Sequence, residues 1–173
     1  MKHISTIITA IAVSLIAISC TKQGNPSADP AKEGYVDATS KTTWTYFSLS
    51  KGEVIGTGAE SEADNAAWAA RTDWDLAVCR YNIRTNSGTS SSTGANGGVY
   101  TSTMTFEGLS SIPADAAFEA DKLVTSSGMG GEKTVSESTA TVITFKTNAD
   151  GSKVMPPVYL KAPVYVFRTA DGG

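Results

Sequence analysis

Apolar and β-branched residues recur along the chain in short runs, each closed by Gly, Asn, Asp or Ser. This pattern predicts strands near Thr42–Leu49, Glu53–Thr57, Trp74–Arg84, Val99–Phe106, Phe118–Leu123, Thr134–Phe145, Val158–Leu160 and Val164–Arg168. Ser50-Lys51-Gly52 joins the first two, and Asn148-Ala149-Asp150-Gly151 marks a turn after Phe145. Ser61–Ala70 alone reads as helix, with acids at its start, alanines later and one large apolar residue, Trp68. Thr85–Gly98 is a long Gly/Ser/Thr/Asn loop, expected to be mobile or functional. The expected fold is a single antiparallel all-β domain.

Two segments depart from this pattern. Ile7 to Ile18 is an apolar run of about a dozen residues, too short to span a bilayer of roughly 30 Å as a helix. With Lys2 and His3 before it and Ala17-Ile18-Ser19-Cys20 after it, the run has signal-peptide anatomy. Small residues before a cysteine suit lipoprotein signal peptidase. Residues 1–19 are therefore expected to be removed and Cys20 lipidated, its acyl chains anchoring the protein in a membrane. Residues 20–41 hold almost nothing apolar and read as a flexible tether, leaving 42–173 as the folded domain. At the other end, Asp171-Gly172 follows the run Val164–Arg168 and signals a hairpin whose second strand is missing. The expectation is a C-terminally truncated fragment, with Val164–Arg168 left as an open edge.

Composition narrows the function classes. Without Lys2 the chain has 13 basic residues against 17 acidic ones, a net charge near −4. A mildly acidic chain with no basic patch lacks the phosphate-neutralising term of a nucleic-acid binder. With Cys20 acylated, Cys79 is the one remaining thiol; it lies in an apolar run and reads as a buried small hydrophobe. The sole histidine, His3, leaves with the signal, so Cys–His and Ser–His–Asp catalysis are unavailable. Asp73 and Asp75 share one face of a strand, but adjacent positions do not straddle a substrate as glycosidase carboxylates do. Asn148–Ser152 lacks the distal Glu of a calcium loop and reads as a turn. Thr85–Gly98 lacks the Gly-Lys-Ser/Thr ending of a phosphate loop.

Several phrases then line up in order: Trp44-Thr45-Tyr46-Phe47-Ser48-Leu49-Ser50-Lys51-Gly52-Glu53-Val54, Asp73-Trp74-Asp75-Leu76-Ala77, Arg80–Gly88, Val142-Ile143-Thr144, Met155-Pro156-Pro157 and Val164–Gly172. Together they resemble the HmuY family of haem-binding lipoproteins from the Bacteroidetes lineage, from about Tyr35 onward. The resemblance implies an all-β, non-enzymatic protein of the outer membrane and cell surface. Such a protein takes haem from host haem-carrier proteins and passes it to a TonB-dependent receptor. It also implies continuation past Gly173.

The best-known family members hold haem iron between two histidines, and the mature chain here has none. By position, Met155 falls where the family's second ligand lies, and Met129 within about a residue of the first. The resemblance thus points to Met129 and Met155 as axial donors to haem iron. The residues agree in part. Met129 stands in the polar loop Ser126–Gly131 with no apolar neighbours, and Met155 is presented by two stiffening prolines. Met104 lies inside a predicted strand and reads as an ordinary side chain. Arg80, Arg84, Lys133, Lys153 and Lys161 are candidates to meet the haem propionates. The competing reading is a surface lipoprotein of the same fold that binds a glycan, another tetrapyrrole or a protein partner. A glycan binder would expose Trp44, Trp68 or Tyr159 as a platform.

Overall fold

The computed structural model describes residues 35–128, 131–159 and 163–173. Strands β1 (Thr43–Ser48), β2 (Glu53–Ala59), β3 (Leu76–Cys79) and β4 (Asn82–Thr85) form an antiparallel sheet in the order β2-β1-β3-β4. Helix α1 (Glu62–Ala69) lies between β2 and β3 in sequence. The rest of the chain builds antiparallel pairs. Strand β5 (Gly98–Ser102) pairs with β10 (Val164–Arg168), β6 (Lys122–Gly128) with β7 (Gly131–Glu137), and β8 (Ile143–Thr144) with β9 (Val158–Tyr159). The fold is all-β apart from the helix and a short 3-10 turn at Gly88–Ser90.

The helix starts at Ser61 because its hydroxyl accepts the Asp64 N–H, and Glu62 and Asp64 place negative charge in the first turn. Its one large apolar residue, Trp68, turns onto the sheet and stacks on Tyr46, with centroids 3.7 Å apart and planes 4° apart. Trp74 meets Tyr46 edge-on at 5.0 Å and donates its indole N–H to the Trp68 carbonyl at 2.9 Å. Trp44, Ala77 and Cys79 complete this core. Gly58 on β2 makes the packing possible: a Cβ there would stand 2.5 Å from the Trp68 indole nitrogen. Cys79 is buried as expected, and burial pushes its thiol pKa up.

Two buried polar groups hold the sheet to its surroundings. Arg84 of β4 is 3 % exposed and donates to the Ser136 carbonyl at 2.7 Å, to Asn65 Oδ1 at 2.8 Å and to Glu60 Oε1 at 2.9 Å. Its guanidinium also lies 3.8 Å from the centre of the Trp44 ring. Glu60 accepts from the Trp44 indole and from Asn65 as well. Burial alone would raise the Glu60 pKa; the bonds from Trp44 and Asn65 and the Arg84 charge outweigh it and hold the carboxyl below its usual range.

The second group is Asp121. Its carboxylate, 2 % exposed, accepts from the Thr85 N–H at 2.9 Å, the Thr85 hydroxyl at 2.6 Å and the Ser90 hydroxyl at 2.6 Å. Thr85–Gly98, expected to be mobile or functional, is thus a packed structural segment where it meets Asp121. Thr85, Asn86 and Ser87 are each at most 1 % exposed. Polar residues look like loop in sequence; here their hydroxyls face a buried carboxylate rather than water. Burial, partly offset by the Ser90 and Thr85 bonds, pushes the Asp121 pKa up to about 6. Its folded pKa therefore exceeds the unfolded value near 3.8, so the native state binds the extra proton between those values. Stability from this group is full below about pH 4 and is lost as pH rises through 6, by at most about 3 kcal/mol. Urea midpoints measured from pH 4 to 7 should show that slope as a difference between the native protein and Asp121→Asn; parallel curves would refute it.

Other differences are local. The run Trp74–Arg84 is not one strand but the hairpin β3–β4, turning at Arg80-Tyr81 with Cys79 opposite Asn82. No Gly or Asn announces this turn; Arg80 itself takes the left-handed φ of 55°. Val99–Phe106 stops at Ser102, whose hydroxyl accepts the Met104 N–H at 3.1 Å and bends the chain out of the sheet. Met104 therefore lies past the strand rather than inside it, and is 47 % exposed. Phe118–Leu123 begins its strand late, at Lys122, and runs on through polar Thr125–Gly128, where cross-strand Thr125–Thr134 hydroxyls pair at 2.8 Å. Thr134–Phe145 breaks after Glu137. Thr169–Gly173 forms the turn signalled by Asp171-Gly172, closed by the Gly172 N–H on the Thr169 carbonyl at 3.0 Å.

Candidate ligand cleft

A cleft of about 680 Å³ opens beside the β3–β4 turn. Tyr81 from that turn, Val124 from β6, Ile143 and Phe145 around β8, Glu137 at the end of β7, and Lys153 line it. The segment after β7 is held in place by the Ser138 N–H on the Ile83 carbonyl at 2.9 Å and by the Tyr165 hydroxyl, which accepts the Thr141 N–H at 3.0 Å. Turn 148–152 positions Lys153. Asn148 N–H donates to the Ser152 carbonyl at 2.9 Å, Asp150 Oδ1 accepts the Ser152 N–H at 2.9 Å, and Thr147 bridges Lys153. Asp150 is thus taken up within the turn, in keeping with a turn rather than a calcium loop. The result places the Lys153 ammonium 5.0 Å from the Phe145 ring centre.

The cleft carries one acid. Burial pushes the Glu137 pKa up, and its carboxyl accepts from Asn82 Nδ2 at 2.6 Å. Tyr81 also borders a second depression of about 520 Å³, which Lys41 and Arg80 share. The Arg80 guanidinium lies 4.5 Å from the Tyr81 ring centre.

Met155 is 65 % exposed and does not line the cleft. It stands two residues after Lys153, so their Cα atoms are within about 7 Å. Met129 lies outside the described residues, between Gly128 and Gly131, which pair at the end of the β6–β7 hairpin. Cys20 and Lys161 also lie outside them. Of the other propionate candidates, Arg84 is corrected: its guanidinium is spent in the core on Glu60, Asn65, Ser136 and Trp44, because burial demands partners for every N–H it turns inward. Lys133 Nζ sits 3.8 Å from Glu60. Arg80 and Lys153 have no carboxylate partner among the described residues.

The alternatives sort themselves on burial. Trp44 and Trp68 are 0 % and 8 % exposed, so neither offers a sugar-stacking platform. Tyr159 has no described side chain. Asp73 is an exposed partner of Arg71 at 2.7 Å. Asp75 is buried and accepts the Leu49 and Ala170 N–H groups at 2.7 and 2.8 Å, tying β1 to the C-terminal turn. The two carboxylates thus serve different structural tasks. Among the described residues no group of three or more His, Cys, Asp or Glu is arranged to hold a metal ion.

Sequence reasoning named Lys153 and Arg80 but missed Tyr81, Val124, Ile143 and Glu137. These converge only through the hairpin turn at Arg80-Tyr81 and the break after Glu137, neither of which carries a turn signature. Comparison with curated proteins finds no match. The chain does match the family described as HmuY protein over residues 40–173, well over half its length, and it belongs to that family.

Proposed function

We propose that this is a haem-binding surface lipoprotein. It takes haem from host carrier proteins and passes it to a TonB-dependent receptor, and acts by binding rather than catalysis. In this reading residues 1–19 are removed, Cys20 carries the lipid and residues 20–41 hold the domain off the outer membrane. The observation that carries it is a mostly apolar cleft of about 680 Å³ in a chain of the HmuY family. That volume lies within the range of small-molecule sites, roughly 300–1,000 Å³.

Methionines 129 and 155 are the proposed iron donors. An exposed thioether at Met155 supports this, because a sulfur packed in a core could not reach a ligand. Met129 enters on its place in the sequence. Thioether is a soft, neutral donor that favours ferrous over ferric haem and does not titrate near neutrality. The buried state of Trp44 and Trp68 speaks against the glycan alternative.

The test is titration of the full chain with haemin, with and without dithionite. Reduced haem should bind at least about tenfold tighter, with little pH dependence near neutrality. The Met129→Ala/Met155→Ala double variant should lose that preference and shift the Soret band. Equal affinity in both oxidation states, or an unchanged Soret band in the double variant, would exclude the methionine pair.

A further inference from the structure

Lys153 lines the cleft, and Arg80 lines the depression beside it, which shares Tyr81 with the cleft. Lys153 lies over Phe145 and Arg80 over Tyr81, both on aromatic rings that line the cleft or its neighbour. Neither has a carboxylate within ion-pair distance among the described residues, whereas Arg71, Arg84, Lys122 and Lys133 each do. Lys41, Lys51, Lys146 and Arg168 are likewise without one among the described residues, so what sets Arg80 and Lys153 apart is their place on aromatic rings of the cleft and its neighbour. A cation resting on an aromatic face keeps its stem on apolar surface and its charged head at the rim.

Arg80 gives a second, independent reason. It holds a φ of 55° at the tip of the β3–β4 hairpin, a conformation Gly or Asn adopts at much lower cost. Its backbone is therefore strained where glycine would relieve the strain, and glycine would remove the guanidinium.

We infer that Arg80 and Lys153 form an anion-recognising rim on either side of Tyr81, taking the carboxylate arms of a flat apolar ligand whose ring system lies in the cleft. This inference rests on the haem reading and adds which groups of the porphyrin are recognised, and by what. Tyr81, Val124, Ile143 and Phe145 meet the macrocycle; the two cations meet its propionates. Glu137 lines the same cleft, half-buried and accepting from Asn82, and like the two cations it has no ion-pair partner among the described residues.

The experiment compares haem with its dimethyl ester, in which both propionates are neutral, on the full chain and on Arg80→Gly and Lys153→Gln. The native protein should prefer haem to the diester by roughly tenfold or more, the size of one lost charge-assisted hydrogen bond. Each variant should lose part of that preference and the Arg80→Gly/Lys153→Gln double variant most of it, with the loss falling on haem rather than on the diester. Arg80→Gly should also melt no lower than the native protein, so weakened haem binding there cannot come from unfolding. Equal binding of haem and diester by the native protein, or an equal loss for both ligands in the variants, would overturn the rim while leaving the haem reading standing. Binding of neither porphyrin would overturn the haem reading and the rim with it.

Discussion

Replacing Arg84 by Ala should destabilise the domain by about 4 kcal/mol, seen as a drop in the urea midpoint at neutral pH with the slope unchanged. The size follows from what is left behind. Glu60 has a side chain only 10 % exposed and would lose its one close cation, keeping Lys133 at 3.8 Å. Asn65 Oδ1 and the Ser136 carbonyl would lose their donors, and the Trp44 ring would lose the guanidinium 3.8 Å above it. An uncompensated buried charge costs far more than the pair contributes net, because its desolvation is no longer offset. The same reasoning predicts that Glu60→Gln/Arg84→Met recovers more than half of the loss, since the double variant strands no charge. A cost for Arg84→Ala below about 1 kcal/mol, the scale of a surface pair, would show that the network is solvated and that this account of the core is wrong.

How much of this the sequence disclosed depends on whether the signal was local. Strands β1, β2 and β10 and helix α1 sit within about two residues of their predicted bounds, because each has a local start and stop: Ser61 as a cap, Ser50–Gly52 as a turn, Pro163 and Asp171-Gly172 around the last strand. The β3–β4 turn was invisible because Arg80 occupies the left-handed position where Gly or Asn would have announced it. The Thr85–Ser90 segment was misjudged for a different reason. Its polarity suggested exposure, and only Asp121, more than thirty residues later, turns those hydroxyls into interior groups. Arg84 was misplaced in the same way, since its acid, Glu60, lies on the far side of helix α1 in sequence. The cleft shares this property. Its aromatic wall and its cation come from Tyr81, Phe145 and Lys153, with Arg80 on the neighbouring depression, and only the turns bring them near one another.

The turn at Gly88 offers the sharpest test of the Asp121 hub. Gly88→Ala should cost about 3–5 kcal/mol, as much as losing a core side chain, although it adds a single methyl group. Two penalties combine. At a φ of +48° the new Cβ is strained in any surroundings, by roughly 1–2 kcal/mol. It would also stand 2.2 Å from the Asp121 carbonyl oxygen and 3.0 Å from its nitrogen, and backbone cannot rotate aside as a side chain does. That backbone is fixed on both sides, since the Thr89 N–H donates to the Asp121 carbonyl at 3.1 Å and the Asp121 N–H to the Ser87 hydroxyl at 3.0 Å. Relief must therefore pull Asp121 away from Thr85 and Ser90 and leave a buried carboxyl short of donors. Gly94→Ala is the control: its φ of +72° imposes the same kind of strain, but nothing lies within 4 Å of the added carbon, so about 1 kcal/mol is expected. Equal costs at the two glycines would mean that the hub yields freely. A large excess at Gly88 would show that it is rigid, and its effect should reach the cleft. Asp121 directly precedes β6, the strand that brings Val124 to the cleft wall, so Gly88→Ala should weaken haem binding where Gly94→Ala does not.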